Sequence, residues 1–398
     1  EYYTTSQLAM VDLNGKITNI GAPGIFDQVS VSPNGQHLLV SRIKKPFSYL
    51  FPAQRFPKDI EVWSVSGKSE FKVVSSPLQD TIPSGGVPTG PRGTAWHPTA
   101  PATLVWTEAL DGGNPRTKVA HRDRLMRISA TFTGQPEEFF KTEQRLAGRS
   151  FGEKDGMMLV SDNNFETRVI RTWVVNFDRP TEQPKMISSR NANDRYSDIG
   201  SPVSKMLPTG RSVVRQDGDF VYLQSTGATP QGDRPFLHKF NWKTGEKTEL
   251  FRSGLEKYEM FVGFGPDDKI ITRRESTTEP PNMFMDGKAI TNFTDPTPQL
   301  RGIKKELVKY KRKDGVELSF TLYLPADHKP GQRLPTVVWA YPLEFTDAST
   351  AGQVSGSTNR FTSIGGMSHL FFLMQGYAVL DNATMPIVGN PETVNETF

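Results

Sequence analysis

The sequence predicts an all-β propeller over residues 1–297, followed by the first strands of an α/β sheet over 298–398. Three observations carry this: a recurring hairpin pattern, a second strand pattern interleaved with it, and a change of texture near residue 297.

The hairpin pattern is a short alternating strand, a Gly turn and a second strand. It occurs in LAMVDLNGKITNIG (8–21), IEVWSVSGKSEFKVV (60–74), LMRISATFTGQPEEFF (125–140), FLHKFNWKTGEKTELF (236–251) and MFMDGKAITNF (283–293). Residues 167–186 form another with a longer turn. Turns such as Asn14-Gly15 and Thr244-Gly245 between alternating runs are hairpin chemistry, because Gly adopts positive φ without steric cost. The second pattern runs from a small or apolar start through a Pro turn into an apolar strand. It occurs in VSVSPNGQHLLVS (29–41), TAWHPTAPATLVWTE (94–108), SKMLPTGRSVVRQ (204–216) and VGFGPDDKIITRR (262–274), and without Pro in FGEKDGMMLVSD (151–162). Successive copies lie about 55–65 residues apart, and the two patterns together give four strands per repeat, as propeller blades require. About six repeats are expected before residue 295. An irregular pair of β-sandwiches is the competing arrangement.

Past TDPTPQL (294–300) the texture changes. ELVKYKRKDGVELSFTLYLP (306–325) predicts one long hairpin around Asp314-Gly315. LPTVVWAYP (334–342) is a continuous apolar strand, of the kind buried on both faces of a sheet. SIGGMSHLFFLMQ (363–375) has helical character, and GYAVLDNATMP (376–386) is a further buried strand. Strand, helix and strand predict a βαβ unit. So few strands do not complete a domain, so 298–398 is expected to open a larger one. The strand 334–342 should then show an apolar edge.

Composition excludes several classes. Lys and Arg number 47 against 43 Asp and Glu, and a formal charge of +4 is too balanced for a nucleic-acid binder. With 34 Gly and 30 Pro, both above average usage, turns and short strands are favoured over long helices. The absence of Cys excludes disulfide scaffolds, Cys-ligated zinc, iron–sulfur clusters and thiol catalysis. No apolar run approaches a membrane span; the longest cluster is HLFFLM (369–374). The chain opens on Glu1 with no signal-peptide pattern behind it, so a processed or cut N-terminus is expected. A Cys-free chain suits cytosol and periplasm alike; the expectation leans extracytoplasmic.

A propeller followed by an α/β sheet, with the segments KPFSYLFPAQRFPKDIEVW (45–63), VPTGPRGTAWHP (87–98), VVWAYPLEFTDASTAGQVSGSTNRF (337–361) and YAVLDNATMPIVGNP (377–391), resembles the prolyl oligopeptidase family of serine peptidases. Within it the chain looks most like the glutamyl endopeptidase branch. Family members often carry a basic residue at the position of Leu343 and an acidic one near Gly389, so the match to the branch is imperfect. The resemblance implies about seven four-stranded blades capping an α/β-hydrolase domain. It implies acyl transfer by a Ser-Asp-His triad whose nucleophile elbow lies beyond Phe398, so the chain as written lacks the triad and is inactive alone. It also implies that Tyr341, at the end of its strand, donates its hydroxyl to the oxyanion. Oligopeptides are the implied substrates. Neither cofactor nor metal is implied, nor a nucleic-acid partner.

Other motifs yield plainer readings. GRSFG (148–152) matches G-x-S-x-G, but no buried strand precedes it and no helix follows, so Ser150 is expected in a turn between blades. His37, His97, His121, His238, His328 and His369 form no ligand-spaced pair; His97 and His369 are read as structural. The acidic turns DGGN (111–114), DGD (217–219) and PDD (266–268) lack the calcium-loop pattern and read as turn chemistry. Lys309, Lys311 and Lys313 alternate along one solvated strand face. Sequons at Asn292, Asn382 and Asn395 read as chance. A preference for Glu before the scissile bond would need a cation, and Arg145, Arg149, Arg168 and Arg171 could supply it without the sequence choosing among them. The leading expectation is a serine peptidase; the alternatives are a non-catalytic propeller binding module, or an α/β-hydrolase acting as esterase or aminopeptidase.

Overall fold

The computed structural model describes residues 1–390 and 393–396. Short antiparallel strands dominate it, and helix is confined to one α-turn and a few 3-10 segments. Among the described residues six sheets precede residue 290: five of four or more strands, each with its main strands in chain order, and a two-stranded one of Ser204–Met206 and Ser212–Val214. The five larger ones are numbered in chain order. The first takes Ile17–Val31, His37–Ile43, Lys58–Ser64 and Ser69–Ser76, with Ser6–Val11 added at its start. The second takes Arg92–Trp96, Thr103–Ala109, Asp123–Ser129 and Glu137–Thr142. The third takes Arg145–Phe151, Met157–Asn163, Val169–Asn176 and Lys185–Asn191. The fourth is built on Ser201–Pro202, Phe220–Ser225, Phe236–Asn241 and Lys247–Arg252; the fifth on Tyr258–Phe264, Ile270–Glu275, Asn282–Met285 and Lys288–Ala289.

Four of these five sheets pair one copy of the Pro-turn pattern with one copy of the hairpin pattern. The fourth does not: the Pro-turn copy 204–216 folds on itself, Ser204–Met206 against Ser212–Val214, and only its last residue, Gln216, pairs with that sheet. The sixth hairpin copy, residues 8–21, founds no sheet of its own. The 15-residue strand Ile17–Val31 pairs with Ser6–Val11 along its first half and with His37–Ile43 along its second, so that copy joins the first sheet. The expected turn is there: Gly15 has φ 82°, and Asp12 Oδ1 accepts the N–H groups of Asn14 and Lys16 at 2.8 and 2.9 Å.

Two compact units are present. One comprises Glu1–Phe165, Arg171–Met186 and Ser204–Val214; the other Glu166–Ile170, Ile187–Val203 and Arg215–Phe398. Inside the first, the core follows from strand alternation. On Thr103–Ala109, Leu104 and Trp106 join Leu39, Val62 and Trp96 in one cluster. Val105, between them, joins Leu125, Met158, Val160 and Phe177 in another. One strand thus contributes to two cores, as period-two side chains must when both sheet faces are covered. Leu104, Val105 and Leu125 have no accessible surface, so each contributes about 1.5–3 kcal/mol of burial. In the second unit, Val203, Tyr222, Leu237 and Phe261 form the corresponding cluster.

The remaining sheet of the second unit has the order Lys304–Lys311, Glu317–Leu324, Ala378–Val388, Thr336–Phe345. The hairpin around Asp314-Gly315 is as expected, with Lys311 opposite Glu317 and Gly315 at φ 88°. Ala378–Val388 runs antiparallel to Glu317–Leu324 and parallel to Thr336–Phe345. The crossover between the two parallel strands holds the α-turn Ala348–Ala351 and the 3-10 segment His369–Gln375. The helix expected at 363–375 is therefore shorter and tighter. Ser368 Oγ caps it by accepting the Leu370 N–H, and Gly376 ends it at φ 79°.

The expectation that 334–342 is buried on both faces is corrected. Val338, Trp339 and Leu343 are more than half exposed, and Tyr341 is 76% exposed. The strand is the last of its sheet, so one edge is unpaired and neither face is fully covered. The apolar edge expected there is present. Central Ala378 and Val379 are buried, whereas Asn382, expected at the end of that strand, sits inside it with φ 56°. The Asn395 sequon needs Thr397, which with Pro391, Glu392 and Phe398 lies outside the described residues.

Candidate functional site

In sheets with parallel strands and crossovers, ligands gather at the carboxyl ends of the strands. Tyr341, expected at the end of its strand, is instead the sixth of the ten residues of Thr336–Phe345, opposite Thr384, because pairing with the neighbouring strand continues to Phe345. Beside it is a cavity of about 210 Å³, lined by Tyr341, Trp339, Leu343, Thr384, Arg195 and Gln353 among others. Two loops of the second unit build its polar wall. Gln353 Oε1 accepts the backbone N–H groups of Arg195 and Tyr196 at 2.7 and 3.3 Å, and its Nε2 donates to Asp194 Oδ1 at 2.7 Å. In return the Val354 carbonyl accepts from Arg195 Nη1 at 2.9 Å, and the Val354 N–H donates to the Tyr196 hydroxyl at 2.8 Å. Residues 194–196 and 353–354 therefore grip each other through five hydrogen bonds. Burial pushes the Asp194 carboxyl up, but hydrogen bonds from Gln353, Ser197 and Tyr196 outweigh it and hold the group below its usual range. Arg195 Nη2 reaches Asp233 at 3.2 Å. Burial there prevails over Arg195, so the Asp233 pKa is raised.

The strand carrying Tyr341 is braced further along. Asn191 Nδ2 donates to Thr346 Oγ1 at 3.0 Å, and Asn193 Nδ2 to the Glu344 carbonyl at 3.3 Å. Trp339 stacks on His369 with ring centroids 4.4 Å apart and planes within 8°. His369 Nε2 lies 2.6 Å from Asp381 Oδ1, tying the 3-10 segment to the central strand. The wall residues Arg195 and Gln353 are 158 positions apart in hydrogen-bonded contact, and nothing local in the sequence singles them out.

Ser150 is corrected. It lies not in a turn but within the strand Arg145–Phe151, opposite Leu159. The strand's bulge falls between Leu146 and Gly148, which lets GRSFG continue in extended form. No elbow forms there. Of the four arginines considered for a substrate carboxylate, Arg145 bonds Asp111 and Asp123, Arg171 bonds Asp162 and Glu143, and Arg168 reaches Glu344. Among the described residues Arg149 bonds Thr107 Oγ1 and the carbonyls of Gly93 and Val105, and no carboxylate. His37 meets Glu70, His238 meets Glu249, and His97 is buried. The DGGN turn carries more than turn chemistry: Asp111 accepts the Gly113 N–H and also pairs with Arg122 and Arg145. Lys309, Lys311 and Lys313 are exposed. Among the described residues no group of three or more His, Asp or Glu is arranged for a metal ion, and no helix is long and apolar enough to cross a membrane.

No family model matches the chain. It is 37% identical over 427 residues to a protein of Oryza sativa subsp. japonica named "Probable glutamyl endopeptidase, chloroplastic", and 36% identical over 428 residues to one of Arabidopsis thaliana with the same name. Both alignments cover 100% of this chain, which spans only 45% and 44% of those proteins. Its fold matches acylaminoacyl peptidase of Pyrococcus horikoshii at TM-score 0.51 and 13% identity, covering 99% of this chain and 56% of that one. It matches dipeptidyl peptidase 4 of Porphyromonas gingivalis at TM-score 0.50 and 13% identity, covering 96% and 61%. The succession of antiparallel sheets thus matches the propeller-bearing architecture of these peptidases. Over its whole length, this chain is a relative of proteins named probable glutamyl endopeptidases, of which it spans less than half.

Proposed function

We propose that the protein is a serine-type peptidase acting on oligopeptides, with Tyr341 as one donor of its oxyanion hole. The observation that carries this is an exposed phenol in the carboxyl half of a parallel strand, beside a cavity, in a chain related throughout to proteins named as endopeptidases. In this reading residues 298–398 open an α/β-hydrolase domain, and the unpaired edge of Thr336–Phe345 receives the strand that leads to the nucleophile. The Ser, Asp and His of the triad follow Phe398 in the longer protein. Residues 1–297 belong to a propeller that admits peptides and screens out folded proteins. The triad Ser attacks the scissile carbonyl while His takes its proton and passes it to the leaving amine. The developing oxyanion accepts from the Tyr341 hydroxyl and from a backbone N–H. A preference for Glu, carried in the relatives' names, is part of the proposal.

The test is Tyr341→Phe in the full-length protein. Loss of one oxyanion donor should lower kcat about 10²–10³-fold. KM should change little, and fluorophosphonate labelling of the nucleophile should persist. Unchanged kcat removes Tyr341 from the mechanism; an unlabelled full-length wild type defeats the serine-peptidase reading and favours the binding module. Cleavage of matched Glu and Gln peptides decides the preference.

A further inference from the structure

In the first unit, three arginines share two buried carboxylates. Asp123 is fully buried and meets Arg92 and Arg145, each at 2.6 Å. Asp111, also buried, meets Arg122 at 2.9 Å and Arg145. Arg149 joins them without a carboxylate of its own, its N–H groups going to Thr107 Oγ1 and to the carbonyls of Gly93 and Val105. Four cations against two anions leave an excess of two positive charges in a poorly hydrated place. Burial, and next the charge of Arg92, push the Arg149 guanidinium down to about 10.

The same place has unused donors and room. Arg92 Nη2 is committed to Asp123, but among the described residues its Nη1 is buried without a hydrogen-bond acceptor, as is Arg145 Nε, and Thr94 Oγ1 is buried without a partner. Between Arg92 and Ala95 the strand register shifts, marking a bulge. Gly93, in that bulge, has φ 60° and open space where a side chain would stand. Bulges re-aim strands beside binding sites, and an excess of desolvated guanidinium attracts a small anion with oxygen acceptors.

We propose that Arg92 and Arg149, at the Gly93 bulge, form a binding site for a carboxylate or small oxyanion. The ligand is either an inorganic anion or the acidic side chain of a peptide. The site does not depend on the peptidase reading.

The test is thermal melting of the full chain with phosphate at constant ionic strength. Phosphate at ten times its Kd should raise the wild-type Tm by about 3 °C, the equivalent of roughly 1.4 kcal/mol. Arg149→Met should lose that rise, while Arg179→Met, at an exposed site elsewhere, should keep it. If Arg149 is only a structural brace, Arg149→Met lowers Tm equally with and without phosphate, and the proposal fails. Should Arg149→Met not fold, Arg149→Lys, which keeps the charge, must show a reduced rise; an undiminished rise overturns the site. A parallel melt with the peptide acetyl-Ala-Glu-Ala-amide against its Gln counterpart separates the sources: a Glu-specific rise lost in Arg149→Met assigns the site to acidic peptides, and a response to phosphate alone assigns it to inorganic anions. No rise with either probe overturns the proposal.

Discussion

His97 makes the stability of the first unit depend on pH in a way that can be calculated. It lies between Arg92–Trp96 and Thr103–Ala109 and is 7% exposed. Its Nδ1 faces the N–H groups of Thr99 and Ala100 at 3.3 and 3.2 Å, so that nitrogen must accept and carries no proton. The ring packs on Phe151 and Phe177 with centroids at 4.2 and 4.5 Å. Burial first, and the charge of Arg127 second, push the imidazole from 6.5 down to about 4. In the unfolded chain His97 takes up a proton below 6.5; in the folded chain it resists until about 4. Its contribution is therefore complete above pH 6.5 and is lost as pH falls toward 4. The gap corresponds to roughly 3 kcal/mol, or about 5–10 °C in Tm for a unit of this size. Asn is the informative replacement, because its side-chain oxygen can still accept from the following N–H groups but never becomes cationic. His97→Asn should be less stable than wild type at pH 7, through lost ring packing, yet fall less steeply between pH 6.5 and 4. Scanning fluorimetry across that range compares the two slopes. Parallel curves would refute the argument that a neutral buried imidazole is being forced to charge.

Two further outcomes follow from the packing. Gln353→Ala removes three of the five hydrogen bonds joining 353–354 to 194–196, one of them to a carboxylate, and should cost about 2–4 kcal/mol; amide exchange at Arg195 and Tyr196 should accelerate, and unchanged exchange would show that the grip does not hold. Gly113→Ala places a Cβ 2.0 Å from the Val87 carbonyl oxygen at φ 75°, so the DGGN turn must open, and a drop in Tm of several degrees is expected where Gly112→Ala, with open space around it, loses less.

What could be read from the sequence was local. Asn14-Gly15 and Asp314-Gly315 declare their hairpins because turn geometry is decided within a few residues. The pairing of one Pro-turn strand set with one hairpin is visible for the same reason in four sheets, but not in the fourth in chain order, where the copy at 204–216 closes on itself. The surplus copy at 8–21 misled the count, because a single strand can serve two partners along its length and alternation does not say which. The apolar run 334–342 announces a strand but not its exposure, which depends on what else covers the sheet. The wall of the cavity was illegible: Arg195 and Gln353 meet only through the crossover, and each alone resembles any surface residue. Likewise GRSFG fits a catalytic pattern until the register of its strand is known.

The alternation of Leu104, Val105 and Trp106 has an evolutionary corollary. Because adjacent positions on one strand answer to different neighbours, no sheet can be repacked in isolation. A larger side chain at 105 must be accommodated near Met158 and Val160, one at 104 or 106 near Leu39 and Val62. Diverging sequences of this architecture should therefore exchange volume across sheet borders, with neighbouring repeats drifting as linked pairs and the strand between them acting as the hinge of that correlation.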